Sequence, residues 1–207
     1  MTVHHRRIVG VLGGRTAAAI AAYRDWQQYH KANGVEYEVQ LPFGGDASRL
    51  ALAARYGSAA EVQAYYQKIM SDTVFLDSLA KHGQNFIAGS ARDEIWRQTY
   101  APAQPRSGAL LHIRVMAVMP GRLVAIAGIM KELVDYFASI GGGYVVAAPA
   151  GVGDPMRVAL AARYPDVAAL EAFSAKIQAD PRWLEIVARN AVNIVPAGMS
   201  DQMWITI

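Results

Sequence analysis

Asp46-Ala47-Ser48-Arg49-Leu50-Ala51-Leu52-Ala53-Ala54-Arg55-Tyr56 returns as Asp154-Pro155-Met156-Arg157-Val158-Ala159-Leu160-Ala161-Ala162-Arg163-Tyr164, 108 positions later. Asp, Arg and the run Ala-Leu-Ala-Ala-Arg-Tyr match at that one spacing. The same offset relates Gly13 to Gly121, Gly34 to Gly142, Gly45 to Gly153, Lys68 to Lys176, Asp72 to Asp180, Asn85 to Asn193 and Trp96 to Trp204. A match of this length at one offset indicates a tandem duplication of one unit of roughly 100 residues, read here as continuing without a gap.

Working outward, each copy gives the same element order. Arg7 to Leu12 and Leu110 to Met119 read as first strands, and Gly13-Gly14 and Pro120-Gly121 break them. A helix follows, with Leu123, Ile126, Met130, Leu133, Val134 and Phe137 at helical spacing in the second copy. Val35 to Leu41 and Gly143 to Ala148 are second strands, and Arg49 to Tyr56 and Arg157 to Tyr164 third strands. Ser58 with Glu61 forms a capping box for the next helix, and Asp166 is the corresponding cap. Asp180-Pro181 and Asp72 interrupt that helix, because Asp caps a new segment and Pro suits its first position. Glu94 to Gln98 and Gln202 to Ile207 close the units.

The order strand, helix, strand, strand, helix, strand is that of a ferredoxin-like βαββαβ unit. Such a unit leaves one sheet face bare, and a second unit can cover it. The expected fold class is therefore α+β: two tandem ferredoxin-like units forming a fused pseudo-dimeric α+β barrel. The expected division is 1–100 for the first unit, 101–109 for a Pro-containing linker and 110–207 for the second unit.

Composition narrows the function classes. Hydrophobic residues make up 53% and charged residues 18%, which suffices for a sizeable core. There is no cysteine, so disulfides and thiolate chemistry are excluded. The net charge of +3 is spread along the chain rather than gathered with aromatics, which argues against nucleic-acid binding. Apolar runs are shorter than the roughly 20 residues of a membrane span, and no leader pattern opens the chain. A cytoplasmic protein is expected. The five histidines lack zinc spacing, so no metal is expected, and neither a phosphate loop nor a serine nucleophile elbow occurs.

The Pro120-Gly121 turn into an amphipathic helix, the Gly142 cap, the Arg157 to Tyr164 strand and the Ala179-Asp180-Pro181 break resemble the dimeric α+β barrel superfamily. Antibiotic-biosynthesis monooxygenases and NIPSNAP-type proteins are members. The resemblance implies one chain doing what two subunits do elsewhere. It also implies a small-molecule-binding barrel, and within that class a cofactor-independent monooxygenase or isomerase acting on a planar polar or anionic substrate. The alternative is a non-catalytic NIPSNAP-like interaction protein with a packed barrel. No dedicated cofactor is implied. Haem stays open through His112, although the Asn, Trp and His constellation of haem-degrading members does not align here. Assembly of pseudo-dimers into a homo-oligomer is also left open.

Strand parity nominates site residues. With Leu111, Ile113, Val115 and Ala117 taken to pack on the helices, His112 and Arg114 turn into the barrel as the catalytic pair. The 108 offset sets His4 and Arg6 beside them as equivalents. Leu52 and Leu160 are taken to face the helices, leaving Arg49, Arg55, Arg157 and Arg163 at the interior as anion-binding groups, among alanines that leave room. The competing role for these arginines is pairing with Asp46 and Asp154 to fix the turns. Trp96 and Trp204 are candidates for stacking on a planar substrate. Tyr23, Trp26, Tyr29, Glu36, Glu38, Gln40, Tyr65, Tyr66 and His82 distinguish the first copy, and differences between copies matter most for a single site.

Overall fold

Residues 2–44, 46, 48–102, 107–151 and 154–207 are described by the computed structural model. The elements run β1 (Val3–Gly10), α1 (Thr16–Ala32), β2 (Tyr37–Pro42), β3 (Arg49–Tyr56), α2 (Ala59–Ile69), α3 (Thr73–His82), β4 (Arg92–Tyr100), β5 (Leu110–Val118), α4 (Leu123–Ser139), β6 (Val145–Pro149), β7 (Arg157–Tyr164), α5 (Val167–Gln178), α6 (Pro181–Asn190) and β8 (Ile194–Thr206). The strands close into one antiparallel barrel in the order β1-β3-β2-β8-β5-β7-β6-β4. This is the α+β barrel expected from the element order.

The chain divides into one unit of Met1–Arg97, Ala150–Gly153 and Ile205–Ile207, and another of Gln98–Pro149 and Asp154–Trp204. The short exchanged pieces are tied by backbone bonds: Ala150 N–H donates to the Ile95 carbonyl at 2.9 Å and Ile207 N–H to that of Val39 at 3.0 Å. Residues 103–106 of the expected linker, and Gly45 and Gly153, lie outside the described residues.

Local chemistry explains the helix boundaries. Ser58 Oγ accepts from Glu61 N–H and Asp166 from Ala169 N–H, while Asp72 and Asp180 cap α3 and α6, with Pro181 in the first turn of α6. In the first unit α1 packs Ala19, Tyr23 and Trp26 against Leu50, Leu52, Ala54 and Tyr56 of β3 and against Val62, Tyr65 and Ile69 of α2. A stripe at i, i+3, i+4 and i+7 is what buries one helix face.

The constant offset does not hold. α1 and α4 are both 17 residues long but 107 positions apart (Thr16 to Leu123), and the left-handed turn glycines pair as Gly14 with Gly121 and Gly34 with Gly141. From β3 and β7 onward the offset is 108 (Arg49 to Arg157). The stretch from Pro149 to Asp154 is one residue longer than that from Pro42 to Asp46, which accounts for the change. Gly13, Gly34 and Gly142 were therefore matched one position out of step.

One close approach depends on the absence of a side chain. A Cβ on Gly108 would overlap the Tyr164 carbonyl at the end of β7, and backbone cannot swing aside as a side chain can. Gly108→Ala is expected to destabilise the protein by roughly 2–4 kcal/mol through this overlap. Chemical unfolding measures it, and an unchanged midpoint would refute the close approach.

Candidate functional site

Strand register decides which side chains meet. β1 pairs with β3 so that His5 lies opposite Ala54 and Arg7 opposite Leu52; β5 pairs with β7 so that His112 lies opposite Ala162 and Arg114 opposite Leu160. Directly paired residues project from the same sheet face. Leu52 belongs to the cluster packed with α1 and α2, so His5 and Arg7 share the helix-facing side. His112 does too, meeting Tyr144, which packs on Phe137 of α4 and Phe173 of α5.

This corrects the expected parity of β5, in which His112 and Arg114 faced away from the helices. Both faces of β5 are largely apolar, so alternation alone could not orient it. It also corrects the pairing: His5 and Arg7, not His4 and Arg6, are the counterparts of His112 and Arg114. His4 and Arg6 lie on the opposite face, opposite Arg55 and Ala53, and Arg6 forms a buried pair with Glu94 at 2.6 Å.

Each unit builds a Tyr-His-Asp-Arg constellation, from three strands in the first unit and from β5, β8 and the residue that precedes β6 in the second. In the second unit His112 Nδ1 meets the Tyr144 hydroxyl at 2.8 Å and Nε2 meets Asp201 Oδ1 at 3.0 Å. Arg114 donates to Asp201 through Nε at 2.8 Å and Nη2 at 3.0 Å. These bonds, that from His112 foremost, hold the Asp201 carboxyl well below the usual carboxylate range.

In the first unit His5 Nδ1 meets the Tyr37 hydroxyl at 3.2 Å and Nε2 meets Asp93 Oδ1 at 3.0 Å. The Tyr66 hydroxyl donates to Asp93 at 3.1 Å, and Arg7 Nη2 donates to Asp93 Oδ2 at 3.2 Å. Burial alone would raise Asp93, but the His5 bond and the Arg7 charge outweigh it and hold the carboxyl low. An ionised Asp93 only accepts, so it assigns the proton of His5 to Nε2 and leaves Nδ1 to accept from Tyr37. The Tyr37 hydroxyl lies 2.8 Å from that of Tyr56.

The first constellation has space beside it. A cavity of about 230 Å³ lies in the first unit, walled by His5, Arg7, Tyr23, Trp26, His30, Tyr37, Tyr66, Phe75 and Phe86 among others. The corresponding positions in the second unit carry Met130 for Tyr23, Leu133 for Trp26, Phe137 for His30, Ser174 for Tyr66 and Trp183 for Phe75. Phe137 there packs against Tyr144, Phe173 and Trp183.

Two donors at the cavity wall lack partners. The hydroxyl of Tyr23, a residue with no exposed surface, makes no hydrogen bond, and neither does the buried Nε of Arg7. The equivalent Nε of Arg114 is taken by Asp201. Burying an unpaired donor costs roughly 1–3 kcal/mol, so such groups point to a missing partner. His30, 4% exposed, bonds the Tyr65 hydroxyl through Nδ1 at 2.7 Å. Burial, with the nearby His5 and Arg7, brings its pKa down to about 4, so the ring is neutral at pH 7.

The remaining nominated residues are dispersed. Arg49 pairs with Asp46 at 2.9 Å and Arg157 with Asp154 at 3.5 Å, both exposed at the turns. Arg55 is exposed, Arg163 donates to the Gly108 carbonyl at 3.1 Å, and Trp204 is buried with its indole N–H on Gln202. Trp96 is half-buried opposite His4. Gln40 is fully buried. Tyr29 is not peculiar to the first copy, since Tyr29 and Tyr136 bond the equivalent capping residues Asp72 of α3 and Asp180 of α6. Tyr37, Asp93 and their copies were not anticipated, although spacings of 107 for Tyr37 and Tyr144 and 108 for Asp93 and Asp201 carry the signal.

Solved structures share this architecture. A provisionally named monooxygenase of Fusobacterium nucleatum superposes with a TM-score of 0.69 at 12% identity, over 99% of this chain and 92% of that one. An anthrone oxidase-like protein gives 0.65 at 12% identity, over 100% and 91%. The haem-degrading enzyme of Listeria monocytogenes gives 0.54 at 8% identity, over 99% of each. This chain has the dimeric α+β barrel fold. No family model and no curated protein matches the sequence.

Haem does not fit the residues found here. Both ring nitrogens of His112 and of His5 are engaged. The 230 Å³ cavity is also below the roughly 300–1,000 Å³ of sites for drug-sized ligands. Among the described residues no group of three or more His, Asp or Glu is placed to hold a metal, and no helix is long and apolar enough to cross a membrane.

Proposed function

We propose that the first unit binds a small, flat, oxygen-bearing organic molecule, and that the protein is a cofactor-independent monooxygenase acting on an electron-rich hydroxyaromatic. The observation that carries this is a cavity walled by Trp26, Phe75 and Phe86, with Tyr23, whose buried hydroxyl is unpartnered, among its lining residues. Aromatic walls favour a planar ring, and the hydroxyl fixes one oxygen of it. The fold shared with an anthrone oxidase-like protein supports oxygenation as the reaction. In such a step dioxygen converts a ring C–H carbon para to the hydroxyl into a carbonyl; one oxygen atom enters the quinone and the other leaves as water. In this reading His5 and Arg7 serve the site, whereas His112 and Arg114 clamp β5 to β8. The chain is read as a duplicated unit, divided at 1–100, 101–109 and 110–207, in which one copy kept room for a ligand.

The test uses 1-naphthol, with Trp26 fluorescence reporting binding and oxygen uptake reporting turnover to 1,4-naphthoquinone. Tyr23→Phe is expected to weaken binding about ten-fold, the worth of one buried hydrogen bond. Absence of saturable quenching in the parent protein would overturn the site. Binding without oxygen uptake would overturn the reaction.

A further inference from the structure

We propose that the outer face of α4 and α6 in the second unit pairs with the same face of a second copy of this chain, turned end over end about a two-fold axis.

The spacing of apolar residues in α6 gives the helix two sides that avoid water. Trp183 and Ile186 serve the fold: Ile186 is buried, and Trp183 meets the Phe137 ring of α4 at 5.7 Å. Leu184, Val187 and Ala188 fall at i, i+3 and i+4 on another side, with Val192 at i+8 in the short turn that continues the helix. All four are exposed, Leu184 by 61% and Val192 by 67%.

The end of α6 lies beside the start of α4. Met119 N–H donates to the Asn193 carbonyl at 2.9 Å, and Arg122 N–H donates back to the Met119 carbonyl at 3.0 Å. Further along, Arg189 Nη2 donates to Glu132 at 2.7 Å, so the two helices run antiparallel. This brings exposed Met119, Leu123 and Val124, the last 90% exposed, to the Val192 end of the stripe. Scattered apolar side chains on a surface are ordinary, whereas a gathered patch of them marks an interaction face. The first unit carries Ala17 and Gln84 at the positions of Val124 and Val192, the two most exposed members.

Charge selects the occupant. Arg189 is paired with Glu132 and Lys131 with Asp135, while Arg182 leans over the Tyr136 ring. That leaves Arg122 at the Val124 end and Glu185 at the Leu184 end, both exposed and without an ion pair among the described residues. Glu185 and Val192 are seven residues apart, roughly 10 Å along a helix, so the two charges stand at opposite ends of the patch. A second copy laid antiparallel sets Arg122 of each copy against Glu185 of the other, twice over. A parallel copy would set like charges together. A face with opposite free charges at its ends is complementary to itself when reversed, which is what a two-fold interface requires. The net charge of +3 is small enough for two copies to approach.

Sedimentation velocity of the full chain from about 1 to 100 μM, the span that covers micromolar affinities, measures the pairing. The parent chain should pass from monomer to dimer within that span. Val124→Ala with Val192→Gln, which copies the first unit at two exposed positions, should weaken the dimer at least about ten-fold, since each lost contact counts twice across the two-fold. Arg122→Glu alone, and Glu185→Arg alone, should each weaken it about five-fold, and the two together should restore it. The thermal unfolding midpoint should stay unchanged in all of them, because none of these side chains is buried in one copy. A parent chain that stays monomeric throughout overturns the proposal; if that monomer pellets with anionic lipid vesicles, the face belongs to a lipid surface instead. A dimer indifferent to the Val124 and Val192 changes places the contact elsewhere on the molecule and overturns it too. A double charge exchange that fails to restore the dimer overturns the antiparallel pairing.

Discussion

Replacing His30 and Tyr65 together by Phe should remove most of an acid lability worth about 3 kcal/mol. The unfolded chain binds a proton at an ordinary histidine pKa near 6.5, whereas in the folded protein burial lowers His30 to about 4. Above pH 6.5 the ring is neutral in both states, so stability is full. Between pH 6.5 and 4 the unfolded chain takes up a proton that the folded chain refuses, and stability falls as pH falls. A difference of about 2.5 pKa units at 1.36 kcal/mol each sets the size. Asp93, Glu94 and Asp201 add acid sensitivity of their own, because their carboxyls are held low in the folded state. They do so equally in parent and variant, so the difference between the two isolates His30. The double change copies the second unit, which has Phe137 and Phe173 at these positions. It removes both partners of the 2.7 Å bond, so neutral-pH stability should move by less than about 1 kcal/mol. Urea midpoints at pH 7.5 and 4.5 measure the effect. Parallel loss in parent and variant would show that His30 is not the group that refuses the proton.

The same comparison shows what was legible in the chain. The third strands could be read outright because Ala-Leu-Ala-Ala-Arg-Tyr repeats in full and Leu52 and Leu160 alternate against small residues. The helix breaks were readable because Asp72, Asp166 and Asp180 act through local caps that need no tertiary partner. The first strands were not. His4-His5 and Arg6-Arg7 give two registers that composition cannot separate, and a shift of one residue reverses every side chain. The deciding fact, the pairing of Arg7 with Leu52, becomes visible only once strands are paired. The constellation drew on residues up to 89 positions apart, as with His112 and Asp201. Yet the aromatics peculiar to the first copy were visible as a difference between halves, and Tyr23, Trp26 and Tyr66 are the ones at the cavity.

His112→Ala should separate clamp from site. His112 is buried and joins three strands' worth of side chains: its own β5, Tyr144 leading into β6, and Asp201 of β8. Truncation removes the bond to the Tyr144 hydroxyl, which keeps its bond to Tyr164, removes a bond to an ionised carboxylate and opens a gap against the Tyr144 ring. The combined cost is about 3 kcal/mol. For a chain of 207 residues that corresponds to a fall of roughly 6–12 °C in Tm. Arg114 still pairs with Asp201 at 2.8 Å, so the strand contact weakens without leaving that charge bare. Turnover of 1-naphthol per folded molecule should be unchanged, because Tyr23, Arg7, His5 and Tyr37 are untouched. His5→Ala should lower stability similarly but also abolish turnover, since it removes a side chain that lines the proposed site. The reverse pattern, His112→Ala inactive with its Tm intact, would return the chemistry to the second unit and reduce the first-unit cavity to a packing defect.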